Sequence, residues 1–178
     1  MMTNQQVLDR LCLLTDKHLE QLQYIKRLST EQLNYKPTVE SWNILQCIAH
    51  LNYYFDFYLP QFKSAMNGKK REQLLFKSGV IGKYFANILL YKENQKPIKS
   101  PKQTNPIDKI ISKDVIITFE ANLIALKDII KKMPQEVVNN RAIVTMFSNW
   151  YKLNVGDSLR IVVYHNDRHF HQIQKLLP

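Results

Sequence analysis

The residues best suited to chemistry lie near the end of the chain, in Tyr164-His165-Asn166-Asp167-Arg168-His169-Phe170-His171-Gln172-Ile173. On a helix turning about 100° per residue, His165 and His169 differ by only about 40° and stand one turn apart. Two imidazoles so placed can share one metal ion. The apolar row of the same segment is Leu159, Val162, Ile173 and Leu176, and the two histidines fill its gap at three- and four-residue steps. They therefore face the core, where a stacked pair needs either hydrogen-bond partners or an ion. Taken alone, H-x-x-x-H is a weak signal, which a satisfied pair of core histidines also meets. His171 lies about 200° round from His169 and is expected to face away.

Other candidates are less clear from periodicity. With Ile48 as zero, the apolar stripe around His50 centres at roughly 320° and His50 lies at roughly 200°. That flank also carries Cys47, Tyr54 and Phe57, so His50 can be buried without being forced inward. Cys47 precedes His50 by a turn and could in principle ligate, although packing is the preferred reading. His18 sits on an apolar stripe, as a packed core histidine or as a group approaching the site. Gln172, Asp167 and Asn122 could accept the second ring N–H of a ligating imidazole. Trp42 reads as a packing anchor rather than a platform for a substrate.

Positioning these side chains falls to four long helical patterns. The first covers 3–28, with Val7, Leu11, Leu14, His18, Leu22 and Ile25 at three- and four-residue spacing. The second covers 41–66, with Ser41 as N-cap and a kink expected at Pro60. A shorter helix is expected over 79–91, then an irregular crossover over 92–106 containing Pro97, Pro101 and Pro106. The third long pattern covers 108–133 and stops at Pro134. Residues 141–151 read as either a short helix or an extended segment. The last helix is expected over 157–177, capped by Asp157. The fold class is therefore all-α: a four-helix bundle with a long middle crossover that contains an extra short helix, in one domain over 1–178.

Composition narrows the function. The chain has 178 residues, 45% of them apolar, which suits one globular core and argues against disorder. Its four glycines disfavour a turn-rich β fold. No signal-like leader and no apolar run of about 20 residues occur, so a cytoplasmic protein off the membrane is expected. Cys12 and Cys47 are isolated and read as reduced packing residues. The net charge of +10 is concentrated between Lys63 and Lys113, including Lys69, Lys70, Arg71, Lys99, Lys102 and Lys109. This stretch is either a solvated basic connector or a surface for an anionic partner such as nucleic acid.

Two segments resemble a known family. Ser41-Trp42-Asn43-Ile44-Leu45-Gln46-Cys47-Ile48-Ala49-His50-Leu51 is similar to the W-[ST/N]-x-x-x-x-x-x-H-L segment of the DinB-like superfamily. His165 to Ile173 is similar to its H-x-x-x-H-x-x-Q-I segment. The resemblance spans nearly the whole chain and implies a four-helix bundle with a metal triad at His50, His165 and His169. It further implies metal-dependent hydrolases or thiol S-transferases using a low-molecular-weight thiol such as bacillithiol or mycothiol. Three imidazoles leave an open position on one divalent ion, zinc or nickel being the best suited. The basic middle connection has no counterpart in the resemblance.

The leading expectation is a metal-dependent thiol S-transferase or hydrolase acting on a small electrophile. A basic polyanion-binding helical module and a non-catalytic bundle with a vestigial metal site are the alternatives. A homodimer through outer helix faces is a further expectation, because apolar residues occur on more than one face of the second helix.

Overall fold

The structure, a computed structural model, describes residues 1–93, 98–146 and 148–177. Lys96 and Pro97 of the expected crossover lie outside the described residues. Among the described residues the chain is mostly helical: α1 (Asn4–Ile25), α2 (Thr30–Asn34), α3 (Ile44–Ala65), α4 (Val80–Leu89), α5 (Val115–Lys132) and α6 (Val155–Gln174). An antiparallel hairpin of β1 (Arg141–Thr145) and β2 (Ser148–Asn154) adds a small two-stranded sheet to the expected helices. It places Arg141–Thr145 and the residues from Ser148 onward of the undecided 141–151 segment in strands; residue 147 lies outside the described residues. Gln61 on α3 holds β1 by accepting the Val144 N–H at 2.9 Å, and Ile143 and Leu153, paired across the hairpin, are both buried.

Capping sets where the helices begin. Thr3 and Gln6 form a reciprocal capping box on α1, as Ser29 and Gln32 do on α2, a short helix the sequence pattern does not reveal. α3 is capped by Asn43 and not by Ser41: the Asn43 side chain accepts the Gln46 N–H at 2.8 Å, and Gln46 Oε1 returns the bond to Asn43 N–H at 3.2 Å. Ser41 instead spends its hydroxyl on Thr38, 2.7 Å away. α3 continues past Pro60 to Ala65. α6 is capped by Asn154 and not by Asp157, since Asn154 Oδ1 accepts the Asp157 N–H at 2.6 Å. α5 begins at Val115 and not at 108; the Pro106, Ile107 and Lys109 carbonyls before it face the Gln46 amide.

Four long helices touch in a ring: α3 meets α5 and α6, and α1 meets the same two. Leu11, Leu22, Ile48, Phe55, Phe119, Leu126, Leu159 and Phe170 fill the interior and are all but inaccessible. Each contributes about 1.5–3 kcal/mol through its burial. The expected stripes of α1 and α3 are nearly all buried, Leu14 and Met66 being the partly exposed exceptions.

α4 lies on the start of α6, and the contact depends on a missing side chain. A Cβ on Gly82 would meet the Asp157 carboxyl carbon at 2.5 Å. That carboxylate is already fixed by Ser78 Oγ at 2.6 Å, the Gly79 N–H at 2.8 Å and Arg160 at 3.1 Å. It cannot step aside without breaking those bonds. Gly82→Ala is therefore expected to destabilise the protein by about 2 kcal/mol despite the better helix propensity of alanine. Thermal unfolding measures this; an unchanged midpoint would mean that α4 can slide off α6.

Candidate metal centre

The three expected histidines meet. His165 and His169 come from adjacent turns of α6, and His50 comes from the second turn of α3; all three are buried. His165 Nε2 lies 3.3 Å from His50 Nε2 and 3.1 Å from His169 Nε2. One ligand atom from each residue lies within 4.8 Å of the other two, and no Asp, Glu or Cys among the described residues joins the group. Nitrogens bound tetrahedrally to zinc at about 2.0–2.1 Å would stand roughly 3.3 Å apart. The spacing of the rings suits an ion of that size.

Hydrogen bonds at the far side of two rings decide which nitrogen is the lone pair. His50 Nδ1–H donates to the Thr104 carbonyl at 2.8 Å, and His169 Nδ1–H donates to Gln172 Oε1 at 3.0 Å. Each therefore turns an unprotonated Nε2 toward His165. His165 Nε2 carries at most one proton, so it can satisfy one neighbour but not both. Its own Nδ1 is buried with no hydrogen-bond partner among the described residues. A proton is a poor remedy here. Burial pushes His50 down to about 4, opposed by the Thr104 carbonyl. Burial, then the charge of His50, pushes His169 down to about 3. His165 is held well below its ordinary value by burial and by both neighbouring rings. At neutral pH the three are uncharged imidazoles with converging lone pairs, the state in which histidine binds a metal. The donor set fits a first-row divalent ion and does not suit the oxygen-seeking magnesium or calcium.

Aromatic rings wall the cluster. Trp42 lies 4.8 Å from His50 and stacks on His169 at 5.8 Å, while Tyr54 lies 4.2 Å from His165. Trp42 packs against two of the three rings. Of the residues expected to orient the rings, only Gln172 does so. Asp167 bonds His18 instead, at 3.3 Å, and Asn122 bonds Asn52 at 3.1 Å. His18 is fully buried and stacks flat on Phe170 at 4.8 Å, outside the histidine group. His171 turns away, against Tyr91 at 3.7 Å. Cys47 is buried and its thiol is pushed up to about 12 by that burial, so it packs as a neutral side chain. Thr104 and Tyr54 were not expected at the site. Thr104 belongs to the crossover, where no periodicity marks it; Tyr54 follows His50 by one turn, which was the available signal.

The family model described as the DinB superfamily matches residues 14–173. The chain belongs to the DinB superfamily. None of the curated proteins compared with it matches, and none of the solved structures does. The match to the DinB superfamily runs from the middle of α1 through both histidine-bearing helices, so it covers every element that builds the cluster. Among the described residues of this DinB-superfamily chain, no helix is long and apolar enough to cross a membrane.

Proposed function

We propose that this chain is a metal-dependent thiol S-transferase in which His50, His165 and His169 hold one divalent ion, zinc or nickel. The observation that carries the reading is the convergence of three neutral Nε2 atoms, two of them 3.1 and 3.3 Å from the third. The ring of α1, α3, α5 and α6 then reads as the four-helix bundle that presents them. The ion, when bound, supplies a Lewis acid that favours the ionised form of a thiol or a water. Thr104 and Gln172 keep the protons on the Nδ1 atoms of His50 and His169, so that both Nε2 atoms stay available. Trp42 and Tyr54 shield the cluster from bulk water.

A thiol suits the site better than water. A free thiol ionises at about 8.5, close to neutrality, and needs no strong base. No carboxylate among the described residues joins the three histidines to take a proton from water. In the transfer, the thiol sulfur forms a bond to an electrophilic carbon, the bond to the leaving group breaks, and the thiol proton departs with it. A hydrolase of the same architecture is the nearer alternative. The polyanion-binding reading rests on charge alone, and part of that charge is spent internally. Lys36, Lys109 and Lys113 donate to the Ile107 carbonyl, the Tyr53 hydroxyl and the Leu28 carbonyl.

Freshly purified protein is expected to carry about one zinc or nickel per chain by elemental analysis. The loaded protein should conjugate bacillithiol or mycothiol to a small haloalkyl or epoxide electrophile, and chelation should stop it. Conjugation undiminished by complete metal removal would sink the reading.

A further inference from the structure

The amino-terminal end of α3 grips the crossover at three points, and one of them is the ring of His50. Trp42 Nε1–H donates to Asn105 Oδ1 at 3.1 Å. Gln46 Nε2 lies 3.0, 2.9 and 3.1 Å from the carbonyls of Pro106, Ile107 and Lys109, which share its two N–H groups. His50 Nδ1–H donates to the Thr104 carbonyl at 2.8 Å. Trp42, Gln46 and His50 follow one another at four-residue steps, and the groups they hold lie within a six-residue stretch, 104–109. Gln46 is only 2% exposed, and its Oε1 is committed to the Asn43 N–H, so its amide has one orientation available. The far side of the stretch is pinned as well. Thr104 Oγ1 lies 3.0 Å from Ser100 Oγ, and Asn105 Oδ1 also accepts the Ile107 N–H at 3.1 Å.

We propose that Gln46 is a positioning residue for the metal centre: by fixing the Pro106, Ile107 and Lys109 carbonyls it places the Thr104 carbonyl that orients His50. The inference rests on the metal reading given above. Gln46 does not belong to the histidine cluster, yet ion binding and docking of the crossover become one coupled equilibrium. An ion that needs His50 with its proton on Nδ1 favours the docked crossover. By reciprocity, a crossover released from α3 weakens the ion by the same factor. Partners of metal-bound histidine generally contribute 10- to 100-fold to affinity. Here that partner is a backbone carbonyl, whose position another side chain must supply.

Gln46→Met tests this, because it keeps the length and burial of the side chain and removes the donor; it also removes the Oε1 that accepts the Asn43 N–H, which Asn105→Ala leaves in place. Cobalt(II) titration with chelator competition, the cobalt d–d absorption spectrum, and tryptic cleavage after the exposed Lys99 and Lys102 give three readouts. Wild-type protein is expected to bind cobalt and to be cleaved more slowly once loaded. Gln46→Met should bind about tenfold more weakly, show a shifted d–d spectrum and lose most of the protection. A purely structural role would lower the unfolding midpoint without moving the spectrum of the loaded protein. If Gln46→Met does not fold, Asn105→Ala loosens the same stretch from the crossover side and should act in the same direction. Wild-type affinity and spectrum in the folded variant overturn the positioning role and leave the metal reading standing. Failure of the wild-type protein to bind cobalt overturns both.

Discussion

Alanine at any one of His50, His165 or His169 is expected to reduce bound metal to near zero while leaving the helical circular dichroism intact. Each ring supplies one of three converging nitrogens, and no carboxylate or thiol among the described residues can replace it. Loss of a mere partner of a metal-bound histidine costs 10- to 100-fold, so loss of the ring itself should cost more than about 100-fold. Helical structure should survive because α3 and α6 are held by their apolar rows, with Ile48, Phe55, Leu159 and Phe170 untouched. Metal linkage gives a second measurement. At a thousandfold excess of ion over its dissociation constant, wild-type protein should gain about 4 kcal/mol, and the variants almost nothing. Undiminished metal in all three variants would refute the centre.

The chelated protein is expected to lose stability as pH falls from 6.5 toward 3, whereas its affinity for metal stays nearly flat from pH 8 to about 5. Unfolded, each imidazole accepts a proton near 6.5; folded, burial delays this to about 4 for His50 and about 3 for His169. Below 6.5 the unfolded chain therefore holds more protons than the folded one, and acid favours unfolding. The stabilisation is complete above 6.5 and drains away as pH approaches the folded values. His50 alone contributes on the order of 3 kcal/mol of this loss by pH 4. Denaturant melts of chelated protein at a series of pH values measure it. The same depressed values mean that protons scarcely compete with the ion until well below 6. An affinity falling tenfold per pH unit from 6.5 downward would show that the rings titrate as they do in water.

The part of the site on α6 is legible because His165 and His169, one turn apart, continue the row of Leu159, Val162, Ile173 and Leu176. His50 is not. Residues 43–52 are buried on every side, so the early turns of α3 have no polar face against which to judge an angle. Only the resemblance of the flanking residues placed His50 with the other two, and the geometry agrees. The starts of α3 and α6 depart from the sequence pattern for a shared reason: two competent caps lie within three residues, and tertiary partners choose between them. Ser41 is diverted by Thr38, and Asp157 by Ser78, Gly79 and Arg160. Thr104 could not be found at all, because it acts through its backbone carbonyl and its residue type carries no signal. The hairpin was half visible, as a segment whose pattern fitted neither period cleanly.

The rings differ in how firmly each is tethered behind the Nε2 that it turns toward its neighbours. His50 answers to a peptide group and His169 to an amide, so exchanging either would strand an acceptor. His165 answers to nothing among the described residues on its far nitrogen. Substitution by cysteine would leave no partner bereft there and would turn an all-nitrogen centre toward softer ions.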